Sequence, residues 1–217
     1  IQENSGRKGT SVSFVPDKEM FGNYRFIDTF VEKMLWNYCF LNTGLTILYN
    51  NNKFYSENGL FDLLTKNTEA ELLYPIIHLK DNDIEVAITH CKNQHSEQYY
   101  SFVNGQHTVQ GGTHQGAFRQ AVVKVIREFY NKNYEAADIR QAINAAISVK
   151  VIEPIFESQT KTKLGSTEIE PDGITLQTFV HDFLKKNLDN YLHKNPETAE
   201  ILQKKIQQAE HERKAMA

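Results

Sequence analysis

The stretch Phe156-Glu157-Ser158-Gln159-Thr160-Lys161-Thr162-Lys163-Leu164-Gly165 gathers two ammonium groups and a carboxamide within a few residues. It follows a strongly apolar run, Ala145 to Ile152, so it reads as a polar loop leaving a buried strand, where binding residues often gather. Lysine is a compact charge on a flexible stem and suits a terminal phosphate, and glutamine both donates and accepts, so it can orient phosphate oxygens or a water. One such charge-assisted contact contributes roughly 1.5–3 kcal/mol. On composition alone the plainer account, a solvated loop with surface lysines, stays ahead.

Two further stretches compete for attention. Gly111-Gly112-Thr113-His114 precedes a helical pattern, and helix N-termini attract anions, yet the glycine spacing and the lysine of a phosphate loop are missing. A tight turn with Thr113 as helix cap explains the same residues. Arg119, Lys124 and Arg127 lie off the apolar face of that helix and could touch DNA phosphates without reading sequence; a solvated face explains them as well. There is no CxxC, HExxH or GxSxG motif, and His78, His90, His95 and His107 show no ligand spacing, so no metal site is assigned.

The elements that must position these residues can be read from periodicity. Gly9 to Val15 alternates like a strand. Phe26 to Leu41 places Ile27, Phe30, Val31, Met34, Leu35 and Tyr38 on one helical face. Leu45–Tyr49 and Lys53–Tyr55 flank Asn50-Asn51-Asn52, a hairpin signal, and Asn58 to Lys66 suggests a short helix. Tyr74–Leu79, Ile84–Cys91 and Gln98–Val103 read as an antiparallel meander. A long helix follows from Thr113 to about Asn131, then a short helix at Asp138–Ile143, the apolar strand Ala145–Ile152, and two helices, Leu176–Leu192 and Glu197 onward, parted by Asn195-Pro196. The order predicts helices packed on a mostly single sheet, in the α/β or α+β class.

The 217 residues suit one large domain or two small ones, and 40% hydrophobic with 24% charged residues is a globular balance. The longest apolar runs are far too short to span a membrane, and the polar opening Ile1 to Lys8 is not a signal peptide. Two cysteines exclude a disulfide framework and suggest reduced thiols in the cytosol. A net charge of −3 argues against a wholly basic nucleic-acid coat. The missing initiator methionine and the still-helical composition of Gln207 to Ala217 lead us to expect a piece of a longer polypeptide.

Several motifs stand together in one order: Gly9-Thr10-Ser11-Val12-Ser13-Phe14-Val15-Pro16, Phe40-Leu41-Asn42-Thr43-Gly44-Leu45, Ser101-Phe102-Val103-Asn104, Gly111 to His114, Phe118-Arg119, Ile147 to Val151 and Gln159 to Gly165. Tyr55 to Leu60, Asp138-Ile139-Arg140 and Asn195-Pro196-Glu197 leading to Glu212-Arg213-Lys214 continue the series. Together they resemble the transducer domain of the ATPase (B) subunit of bacterial type IIA DNA topoisomerases, over nearly the whole chain.

The resemblance implies an α+β fold of the ribosomal-protein-S5-domain-2 type, with a mostly single sheet and a left-handed βαβ crossover that the usual right-handed rule would miss. It implies a transducer over residues 1–195 and a helix over 196–217 leading towards a metal-binding Toprim domain, with a Bergerat-type ATP domain preceding Gly9. By the same resemblance Gln159 and Lys161 reach the γ-phosphate of ATP in that neighbouring domain, and Lys163 is not given the same contact. The implied enzyme is an ATP-hydrolysing isomerase using ATP and Mg²⁺, cytoplasmic, acting on DNA with an A subunit in an A2B2 assembly built on a B-subunit homodimer. This stretch alone would be inactive, since the general base and the acidic Mg²⁺ cluster belong to the other domains. Asn104 to Thr108, and Ala117 where the family often has Gly, favour the topoisomerase IV type over gyrase. A stand-alone nucleic-acid-binding module of S5 type is the rival from another class.

Overall fold

Alternation along three strands sets the architecture. The structure, a computed structural model, describes residues 8–216. The described residues form two compact units, divided between Met34 and Leu35.

In the first unit, α1 (Lys18–Phe21) is capped by Asp17, whose carboxylate accepts from the backbone N–H of Glu19 at 2.7 Å and of Met20 at 3.2 Å. Phe14, Phe21, Tyr24 and Phe26 meet edge to face. The strand expected at Gly9–Val15 does not form, because none of these residues pairs with another segment among the described residues. Helix α2 (Asp28–Leu41) runs across the division between the units and forms as expected, but its burial departs from expectation. Its buried residues are Cys39 and Phe40, whereas Ile27, Phe30, Met34 and Tyr38 of the predicted apolar face are exposed.

In the second unit, strands β1 (Thr46–Tyr49) and β2 (Asn52–Tyr55) form the predicted hairpin. Asn50 and Asn51 both have positive φ, 48° and 65°, which asparagine tolerates better than most residues. Helix α3 (Leu60–Asn67) follows. The main sheet comprises β3 (Ile77–Lys80), β4 (Ile84–His90), β5 (Gln98–Val103), β6 (Gln106–His107) and β7 (Ile143–Val149), in the order β3-β4-β7-β5-β6. The expected meander is therefore wrong beyond β3-β4. Strand β7 lies between β4 and β5, antiparallel to the first and parallel to the second, joined to β5 through α4 (Thr113–Tyr130) and α5 (Ala136–Arg140).

Period-two alternation gives the sheet two apolar faces. Ile84, Val86 and Ile88 of β4 and Ile143, Ala145, Ile147 and Val149 of β7 face one cluster, which holds Phe118, Val122 and Ile126 of α4. Helices α6 (Leu176–Lys194) and α7 (Pro196–Ala215) add Leu184, Leu188, Leu202 and Ile206 to it. Ala87, Ala146 and Phe102 face the other way, against Leu60, Leu63 and Leu64 of α3. The small Ala87 and Ala146 leave room for these leucines. Both faces are covered, so Glu85 on β4 is nearly buried. It accepts from the Leu60 N–H at 2.7 Å, His78 at 2.9 Å and Lys80 at 3.0 Å. Burial alone would raise its carboxyl, but these donors hold it below the usual carboxylate range.

The last strand ends earlier than the predicted Ile152. The Asn104 side chain both accepts from Val151 N–H and donates to Val151 C=O at 2.8 Å, taking the bonds a neighbouring strand would use. That clamp turns the chain out of the sheet and into the polar loop.

Candidate functional site

Beyond the Asn104 clamp the chain folds back on itself. Phe156 and Leu164 are bridged antiparallel, and Glu157 N–H donates to Lys163 C=O at 3.0 Å. The tip is a turn in which Lys161 N–H donates to Ser158 C=O at 3.0 Å, with the Ser158 and Thr160 hydroxyls 2.7 Å apart. Lys161 sits in the left-handed region at φ 55°. A turn ending in a left-handed residue is a common way for a short hairpin to reverse.

The two lysines, chemically identical in sequence, are held differently. Lys163 pairs with Glu157 across the hairpin at 2.9 Å. Lys161 is exposed, and its ammonium has no ion-pair partner among the described residues. Gln159 is exposed beside it at the turn. The arrangement presents one unneutralised cation and one carboxamide at a loop tip, fit to meet an anion brought from outside.

The loop does not stand alone. Leu164 is bridged in parallel to Gly112: its N–H donates to Gly111 C=O at 3.2 Å, and its C=O accepts from Thr113 N–H at 3.1 Å. Gln110 N–H donates to Thr162 C=O at 2.9 Å, and the Thr113 hydroxyl donates to Ser166 C=O at 2.5 Å. Thr113 is therefore not the helix cap; Gly112 occupies that position. An anion at this helix end would find the Thr113 N–H already taken. His114 is fully buried, its Nε2 3.2 Å from the Thr108 hydroxyl, and burial lowers its pKa to about 4.

The three basic residues of α4 are held differently. Arg119 donates to Glu97 at 2.9 and 3.1 Å and lies over the Tyr99 ring, while Arg140 of α5 holds the other oxygen of Glu97 at 3.2 Å. Burial alone would raise the Glu97 carboxyl, but the Tyr99 hydroxyl and the two guanidiniums hold it below the usual range. Arg127 donates to Tyr134 C=O at 2.7 Å and fastens the chain after α4. Lys124 is exposed and lines a groove of about 470 Å³ between α4 and α6, with Gln120, Gln177 and His181.

Sequence reasoning missed Glu97, the Asn104 clamp and the Gly112–Leu164 bridge. Asn104 carries a usable signal, as an asparagine before glycine at a strand end, and it has φ 50°. Among the described residues no group of three or more His, Cys, Asp or Glu could hold a metal ion. No helix among them is long and apolar enough to cross a membrane.

Residues 47–217 match the family profile described as DNA gyrase B. The B subunit of DNA topoisomerase 4 from Borreliella burgdorferi is 39% identical over 216 residues, covering 99% of this chain and 35% of that protein. The B subunit of DNA gyrase from Clostridium acetobutylicum is 31% identical over 221 residues, covering 92% of this chain and 33% of its own length. The chain thus spans about a third of the length of these curated relatives. Among solved structures, the 43K ATPase domain of Thermus thermophilus gyrase B shares the fold at a TM-score of 0.74 and 24% identity, over 93% of this chain and 58% of that one. The topoisomerase IV ATP-binding domain of Francisella tularensis gives 0.70 and 25%, over 91% of this chain and 57% of that one. The mixed, mainly single sheet packed by helices agrees with the S5-type architecture that the resemblance implied.

Proposed function

This chain belongs to the DNA gyrase B family of type IIA topoisomerase B subunits, and on that premise we propose that it is the energy-transducing part of such a protein. In this reading residues 1–195 act as the transducer, and the helix over 196–217 leads towards a Toprim domain. Gln159 and Lys161 approach the γ-phosphate of ATP held, with Mg²⁺, in a preceding domain. Lys161 then stabilises charge that grows as the phosphoryl group transfers, and nucleotide state is reported by a rigid-body rotation of domains. The complete enzyme works in the cytoplasm on DNA, as an A2B2 assembly with an A subunit.

One observation carries the reading: the turn at Ser158–Lys161 exposes an unpaired Lys161 beside Gln159, while Lys163 is already neutralised by Glu157. A surface connection has no need of that asymmetry. The topoisomerase IV type is favoured over gyrase by the higher identity to the Borreliella protein, 39% against 31% for the Clostridium gyrase. The stand-alone nucleic-acid module is disfavoured, since Arg119 and Arg127 are spent on contacts inside the chain.

The test is steady-state ATP hydrolysis by full-length Lys161→Ala, with a thermal melt as fold control. Losing a fixed charge at a dry transition state lowers turnover about 10²- to 10³-fold. A folded variant that hydrolyses ATP normally would refute the assignment.

A further inference from the structure

The geometry points to Gly112 as the positioning residue for Lys161, through the backbone bed it offers to Leu164. This inference rests on the proposed role of the loop at the nucleotide.

A Cβ built on Gly112 would lie 2.5 Å from both the N and the O of Leu164, and 2.9 Å from its Cα. Those are backbone atoms, so no side-chain rotation relieves the contact. The backbone of Gly112, at φ +131°, is also one that L side chains rarely adopt. The glycine lets two chain segments, far apart in sequence, run at contact distance. The pairing that results spans the loop's base: Gln110 to Thr162, Gly111 to Leu164, Leu164 to Thr113, and the Thr113 hydroxyl to Ser166. The Thr162 hydroxyl adds a bond to the Gln110 side chain at 3.3 Å. Thr162, the first residue held in this bed, directly follows Lys161, so the aim of the turn is set there.

The far side of the bed is rigid as well. Gly112 is the first residue beneath α4, whose next turns bury His114, Phe118 and Val122. Behind it Ser101 of β5 bonds the Thr108 hydroxyl at 2.9 Å and the Gln115 side chain at 3.0 Å. The loop is therefore fixed to the long helix and the sheet by backbone bonds, and Lys161 inherits that frame. A side chain at position 112 would push Leu164 away and displace the ammonium, and misplacing a reacting group by about 1 Å can lower a rate about 10²-fold.

The experiment is a double-mutant cycle in the full-length protein, reading ATP turnover and nucleotide affinity separately for Gly112→Ala, Lys161→Ala and the pair. If Gly112 acts through Lys161, Gly112→Ala lowers kcat about 10- to 10²-fold with little change in nucleotide affinity, and adds almost nothing once Lys161 is gone. A purely structural role would multiply the two losses. Near-normal turnover in Gly112→Ala, or a full further loss in the Lys161→Ala background, overturns the inference while the loop assignment stands. Normal turnover in Lys161→Ala overturns both. Should Gly112→Ala fail to fold, Thr113→Val decides. It keeps the volume, removes only the bond to Ser166, and should cause a loss of about 3- to 10-fold, the size of one neutral hydrogen bond, again absent in the Lys161→Ala background. An additive effect or none overturns the inference.

Discussion

Lys161→Gly should separate stability from activity, because the two respond to different parts of the residue. At φ 55° the Lys161 backbone is left-handed, a conformation that costs an L residue about 1–2 kcal/mol. Alanine carries the same Cβ and the same penalty, so Lys161→Ala should stay within about ±0.5 kcal/mol of the parent. Glycine escapes the penalty but loses about 0.4–1 kcal/mol through its freer unfolded chain. The difference leaves Lys161→Gly about 0.5–1 kcal/mol more stable than Lys161→Ala. For a chain of this size that is roughly 1–4 °C in melting temperature. No ion pair offsets the gain, since the Lys161 ammonium has none among the described residues. Both variants lack the cation, so both should lose ATP turnover about 10²- to 10³-fold in the full-length protein. Urea unfolding and melts of the pair, beside hydrolysis rates, make the assay. A glycine variant that melts at or below the alanine variant would mean the turn does not hold residue 161 left-handed. Normal hydrolysis by both would refute the role of the charge.

Lys163→Ala should barely alter ATP turnover and change stability by at most about 1 kcal/mol, because it breaks only the exposed pair with Glu157; a loss as large as that of Lys161→Ala would reverse the roles of the two lysines. Acid should unfold the chain in a defined window. His90 and His114 are held neutral by burial, with pKa values lowered from 6.5 to about 4, so their contribution is complete above pH 6.5 and is lost as pH falls towards 4. His114→Leu should lose less stability than the parent between about pH 7 and pH 5 in denaturant titrations, and an equal loss would exclude His114 from the effect. Duplex DNA should bind the chain weakly and with a steep salt dependence, with Lys124→Ala reducing the salt slope by about one. Arg119→Ala should instead lower the melting temperature, since it strips Glu97 of a partner; a salt slope moved more by Arg119 than by Lys124 would contradict the structure.

Local chemistry is the legible part of the sequence. The Asn50-Asn51 hairpin, the apolar face of α4 through Phe118, Val122 and Ile126, and the two closing helices all follow from turn preference and period. What could not be read depends on partners distant in the chain. Ile84–His90 and Gln98–Val103 alternate as well for a meander as for strands separated by β7, and nothing local distinguishes them. Ile27, Phe30 and Met34 have helical spacing, but spacing does not say what will cover them. At the site, the polar loop is visible in the sequence, while the difference between Lys161 and Lys163 is not, because it arises from the turn and from Glu157. Arg119 reads as a free cation because Glu97 lies 22 residues away. The Gly111-Gly112 pair stands out, though for the wrong partner: it accommodates a peptide backbone rather than an anion.

The place of β7 bears on how the polypeptide emerges during synthesis. Strand β5 ends at Val103, and the strand that separates it from β4 is complete only at Val149. At about 5–20 residues per second, the intervening stretch of roughly 46 residues takes about 2–9 s to make. Throughout that interval the nascent chain holds β4 and β5 without the strand that belongs between them. Joined by a short polar segment, they are free to zip together as the hairpin their own sequences favour. Such a pairing would be off-pathway, and β7 would have to displace it. A ribosome-bound chain stalled before Ile143 should therefore show β4–β5 proximity that vanishes once Val149 is free, and slower translation of residues 104–142 should strengthen it.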